Sequence, residues 1–152
     1  MKLPKEFLAK HFDASFKRGA IIKFLMTDPD DPAIERRYKY AMVVGLDCAE
    51  PESYLLLATS KVDKIEPIRK RIPDGFHDLV VGDYPWVTMP TALDLRKARC
   101  YPRDELIEKM HQELLTFEGQ LASEEIAKID AKLRGSGQIE MRVLRKIVSK
   151  IS

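Results

Sequence analysis

The sequence predicts a mainly β fold of mixed α+β class. A short helix over 1–18 precedes a small, bent antiparallel barrel over 19–100, and helices fill 101–152, all within a single domain. Three observations carry this. Arg36 to Asp47 and Ser53 to Ser60 are apolar, aliphatic-rich and aromatic-rich runs separated by a polar turn at Cys48 to Glu52, the pattern of paired antiparallel strands. An earlier run, Ala20 to Thr27, is almost continuously apolar, as a strand with little exposed face must be. After Cys100 the apolar spacing changes to the helical period.

In chain order, Phe7, Leu8, Phe12 and Phe16 recur at helical spacing behind Pro4, with Gly19 as the stop. His11 lies near that stripe and is read as a packed or half-exposed residue with no chemical role. The strand that follows ends in an acidic, proline-rich loop, Asp28 to Pro32, whose carboxylates match no metal-binding loop spacing and are read as solvated. The hairpin from Arg36 to Ser60 is next. With its turn centred near Glu50, antiparallel geometry sets Lys39 opposite Thr59 or Ser60. Lys61 to Arg71, interrupted by Pro67, reads as a basic connector, either tracking a nucleic-acid backbone or simply solvated.

Pro73-Asp74-Gly75 is a turn, and His77 to Val81 a short strand closed by Gly82. Tyr84 and Trp86 among prolines suggest an edge strand or a lip of the sheet, with Trp86 available to stack on a base or to anchor the loop. Thr91 to Cys100 is expected as the last strand. Pro102, Asp104 and Glu105 then open a helix carrying Leu106, Ile107, Met110, Leu114 and Phe117 on one face up to Gly119. Ser123 caps a second helix that buries Ile126, Ile129 and Leu133 and ends at Gly135-Ser136-Gly137. Ile139 to Ile151 reads as a basic amphipathic helix.

Length and composition bound the function. The 152 residues are 45% hydrophobic and 33% charged, so the chain can bury a core and is not a disordered tail. A formal charge of +2 leaves nucleic-acid binding to a local patch. No long apolar run or signal-peptide segment is present, which leads to the expectation of a cytoplasmic protein with no membrane partner. Cys48 and Cys100 stand alone, without metal-ligand spacing, so no metal or cofactor is expected. Cations and hydroxyls do converge: Arg36, Arg37 and Lys39 lead into one strand of the hairpin, while Thr59, Ser60 and Lys61 leave the other. Such an edge suits an anion such as phosphate, although charged strand ends also serve solubility alone.

Several pieces resemble the MazF/PemK family of toxin endoribonucleases: Gly19-Ala20-Ile21-Ile22, Lys39-Tyr40-Ala41-Met42-Val43, Leu57-Ala58-Thr59-Ser60, and Gly119 through Asp130 with its Glu124-Glu125 helix start. The resemblance spans about Gly19 to Leu133. It implies an SH3-like barrel and metal-independent cleavage of single-stranded RNA. It further implies an antitoxin protein partner and a homodimer, paired through the barrel, for which the Tyr84–Trp86 lip offers apolar surface. By the same resemblance Lys39 and Thr59 are the catalytic pair, with Arg36, Arg37, Ser60, Lys61 and Trp86 binding substrate. Lys39 stands where the family has arginine, Tyr40 where it has proline and Ala20 where it has aspartate. A lysine is a point charge and lacks arginine's planar two-pronged grip on phosphate. A catalytically inactive SH3-like module binding RNA or a protein partner is therefore the second reading.

Overall fold

The computed structural model describes residues 4–26, 37–47, 52–136 and 139. Helix α1 (Lys5–Ser15) is followed by strands β1 (Ala20–Met26), β2 (Arg37–Asp47) and β3 (Glu52–Thr59), and then by helix α2 (Val62–Arg71). A 3₁₀ turn at Pro73–Gly75 leads to β4 (Phe76–Leu79), β5 (Thr91–Asp94) and β6 (Arg99–Pro102), and helix α3 (Arg103–His111), strand β7 (Leu115–Gln120) and helix α4 (Ser123–Ser136) follow.

The strands form one antiparallel sheet in the order β4-β5-β3-β2-β1-β7, with β6 branching from β3. Strand β3 is the pivot. Its residues Glu52 to Leu55 pair with β6, while Ala58 and Thr59 pair with β5. The expected closure into a barrel is not found: β4 and β7 end the path and do not pair with each other among the described residues. The stretch from Thr91 to Cys100, expected as one strand, is also divided. Asp94 accepts the Arg96 backbone N–H at 3.0 Å and the Arg96 guanidinium at 3.0 and 2.8 Å, which turns the chain and leaves two strands on different parts of β3.

The strands are apolar almost throughout because both faces of the sheet are covered. Neighbouring residues along each strand divide between two cores. Ile21, Met42 and Leu56 join Ile129 and Leu133 of α4, while Ile22, Val43 and Leu55 join Phe12 of α1 and Leu106 of α3. Each such side chain removed from water contributes about 1.5–3 kcal/mol, which fixes the register, since a slip by one residue would exchange the cores. Gly19, at φ +88°, leads into β1 beneath α4. That backbone conformation is strained for any residue with a Cβ, which would also have to displace the side-chain ends of Ile126 and Gln120.

Further expectations are corrected. The basic connector is a helix, α2, despite Pro67 within it. Ile65, with Val62 and Ile68 alongside, packs against Phe76 and Ala92, and Arg69, Lys70 and Arg71 lie at the helix C-terminus where cations are favoured. The sheet also continues beyond Cys100. Leu114 and Phe117, expected on a helix face, follow α3, which ends at His111, and Leu115–Gln120 instead pairs with β1. Glu113 at φ 61° marks the change of direction. The Tyr84–Pro90 lip is a run of turns rather than a strand, with Val81 bridging Tyr84. The acidic loop and all of the basic C-terminal helix after Ile139 lie outside the described residues.

Candidate functional site

The β2–β3 ladder pairs Ala41 with Leu57 and Met42 with Leu56. That ladder ends at Ala41 and Leu57; beyond it Lys39 pairs with Phe24 of β1 and Thr59 with Ala92 of β5. At that end of the hairpin lies a groove of about 490 Å³. Tyr38, Lys39 and Tyr40 of β2 line it together with Ala58, Thr59, Ser60 and Lys61 from the end of β3, and Pro85, Trp86, Thr88 and Met89 of the lip close one side. Consecutive strand residues point to opposite faces, so a groove lined by Tyr38, Lys39 and Tyr40 in succession wraps around the strand ends.

Aromatic rings form one wall. Tyr40 and Trp86 stack with centroids 5.1 Å apart and planes at 25°. The Ala122 backbone N–H donates to the Tyr84 hydroxyl at 3.1 Å, and Tyr84 lies 6.4 Å from Trp86, which ties the lip to the start of α4. Lys23 Nζ stands 5.6 Å from the ring centroids of both Tyr38 and Tyr40, a cation over two aromatic faces beside the groove. The rim is apolar and exposed, with Tyr38 at 50% and Met89 at 52% accessible, so a flat apolar or aromatic group can approach from solvent.

The polar wall is arranged to donate. The Lys61 backbone N–H donates to Thr59 Oγ1 at 3.1 Å, which fixes the hydroxyl and leaves its proton for another acceptor. Lys39 makes no ion pair among the described residues. Glu118 of β7 also lines the groove, a half-buried carboxylate whose oxygen accepts the Thr116 hydroxyl at 3.1 Å. Ammonium, hydroxyl, carboxylate and stacked rings in one groove can hold a phosphate beside a base and move a proton between them.

Of the residues anticipated from sequence, Lys39, Thr59, Ser60, Lys61 and Trp86 border this one groove. Arg37 belongs to β2 opposite Met26, but its side chain is outside the described structure, and Arg36 lies outside the described residues altogether. Glu118, Lys23, Tyr38 and Tyr40 were not anticipated. The one available signal for Glu118 was the alternation of Leu115 and Phe117 with Thr116 and Glu118, which has the period of a strand as well as fitting a helical stripe in part.

No protein-family model matches the chain, and a search of curated proteins finds no match. Among the described residues no group of three or more His, Cys, Asp and Glu side chains could hold a metal ion, and no helix is long and apolar enough to cross a membrane.

Proposed function

We propose that the groove binds single-stranded RNA and cleaves it without a metal ion, the activity implied by the resemblance to the MazF/PemK toxins. One observation carries the reading: Lys39 and Thr59 both line a groove walled by the stacked Tyr40 and Trp86 rings. A phosphate needs cations and hydroxyl donors, and an unpaired base needs an aromatic face. In this reaction the nucleophile is the ribose 2′-hydroxyl next to the scissile phosphate, so the substrate supplies it and no metal-activated water is required. Lys39 stabilises the charge that builds on the phosphoryl oxygens, Thr59 donates to one of them, Ser60 and Lys61 hold the flanking backbone, and Trp86 stacks on a base.

On this reading the bent sheet is an open relative of an SH3-like barrel, Arg36 and Arg37 extend the cationic edge, and the protein acts in the cytoplasm. A small antitoxin would silence it by covering the groove, and two copies would pair through the barrel and lip. The test is incubation of the purified chain with mixed-sequence single-stranded RNA in the presence of a chelator. Cleavage that Lys39→Arg preserves or raises supports a cation at the phosphate. Tight RNA binding without cleavage by the wild type supports the non-catalytic module.

A further inference from the structure

Resting on that reading, we infer that Glu118 is the proton acceptor for the attacking ribose hydroxyl. The position is made by a bulge. Strand β1 pairs Ile22 with Phe117 and Ile21 with Gly119, so Glu118 is the extra residue of β7 and has no partner across the ladder. A bulge of this kind re-aims a side chain at the edge of a sheet, and here the residue freed is the one carboxylate among the described residues lining the groove. Thr116, two residues earlier, donates its hydroxyl to Glu118 Oε1 at 3.1 Å and so orients the carboxylate, leaving Oε2 for a ligand. No ion pair neutralises Glu118 among the described residues.

A carboxylate in a phosphate groove costs affinity through like-charge repulsion, so its presence there needs a chemical return. Deprotonating the hydroxyl supplies one, because neither ammonium nor threonine hydroxyl is a base at neutral pH. In the step, the 2′ O–H proton passes to the Glu118 carboxylate as the 2′ oxygen bonds to phosphorus. The bond from phosphorus to the 5′ oxygen breaks with its electron pair, and that oxygen takes a proton from water. The products are a 2′,3′-cyclic phosphate and a 5′-hydroxyl end, and Glu118 returns its proton to solvent.

The experiment compares wild type, Glu118→Gln and Glu118→Asp on a mixed-sequence single-stranded RNA, and measures their binding to the same RNA with every 2′ position methylated, which cannot be cleaved. Glutamine keeps the shape and still accepts the Thr116 hydroxyl, so an unchanged melting temperature certifies the fold. Glu118→Gln is expected to slow cleavage by about 10²–10⁴-fold, to bind the methylated RNA as tightly as wild type or more tightly, and to lose the acid limb of the pH–rate profile. Glu118→Asp is expected to retain part of the rate with that limb intact. Wild-type cleavage that Glu118→Gln leaves within about threefold, or with the same acid limb, overturns the assignment while leaving the RNase reading standing. A wild type that cleaves no RNA removes the reading itself, and this role with it.

Discussion

Arg18 and Asp130 meet in the seam where α4 lies against the sheet, and the Arg18 guanidinium also donates to the Val44 carbonyl. At the groove, Lys39 and Glu118 make no ion pair among the described residues. The seam repeats its pattern at His77, whose Nε2 lies 3.0 Å from Glu125 and whose Nδ1 lies 3.1 Å from Lys132, both on α4. Lys132 has only protons to offer, so Nδ1 accepts and Nε2 carries the hydrogen that Glu125 receives, a neutral imidazole held from both sides. Asp130 and His77 are buried and partnered, while the groove's Lys39 and Glu118 are half-buried and make no ion pair among the described residues. A paired buried charge holds an element in place; an unmatched one beside open solvent is available to a ligand.

The largest effect that sharpens this contrast is on the seam. Asp130→Ala leaves the Arg18 guanidinium largely buried without its carboxylate, and burial, with Arg134 contributing, already lowers the Arg18 pKa to about 10. The expected loss is about 3 kcal/mol of folding stability in denaturant titration, the lower end of the range because Arg18 keeps some exposure, with RNA affinity unchanged. A stable variant that lost RNA binding would reverse the roles given to the two regions. Next in size is Trp86→Ala. Removing one wall of the stack is expected to weaken binding of single-stranded RNA by about tenfold, and Trp86→Phe should restore most of it. Equal affinity in all three proteins would mean that the rings face no base.

The smallest effect is a pH dependence in the seam. Burial, more than Lys132, lowers the His77 pKa below 6.5, against the opposing pull of Glu125. Glu125 and Lys132 face the ring from α4, and Asp78 lies next to it on β4. A depressed imidazole means that the unfolded chain binds the proton more readily. Stability from this residue is therefore complete above pH 6.5 and is lost as pH falls from there through the depressed folded value. The melting temperature of the wild type should fall across that window more steeply than that of His77→Gln. Parallel profiles would show that His77 does not titrate on unfolding.

The hairpin was legible in the sequence because its signals are local. Two apolar runs, a polar turn and antiparallel geometry suffice to bring Lys39 and Thr59 to one end of the hairpin, and Trp86 between prolines reads as a lip without knowledge of its neighbours. What could not be read depended on distant partners. Leu114 and Phe117 fit a helical stripe until β1, nearly a hundred residues earlier in the chain, is seen to pair with Leu115–Gln120. With that strand missed, the bulge at Glu118 had no expression in the sequence. Pro67 argued for a loop, whereas packing of Ile65 on Phe76 and Ala92 outweighs the lost backbone hydrogen bond and keeps α2 helical. The division of Thr91 to Cys100 into two strands turns on Asp94 capturing Arg96, a side-chain contact that periodicity does not record.

The most direct measurement is the rate of single-stranded RNA cleavage by wild type, Lys39→Ala and Thr59→Ala in chelator, with each fold checked by thermal melting. Wild type should yield fragments ending in 2′,3′-cyclic phosphate and 5′-hydroxyl, and each alanine variant should lose about 10²–10³ in rate with its melting temperature unchanged, the size expected for one electrostatic or hydrogen-bonding group at a developing oxyanion. Cleavage by wild type that neither substitution slows would put the chemistry outside this groove, and contradict the role given to it here.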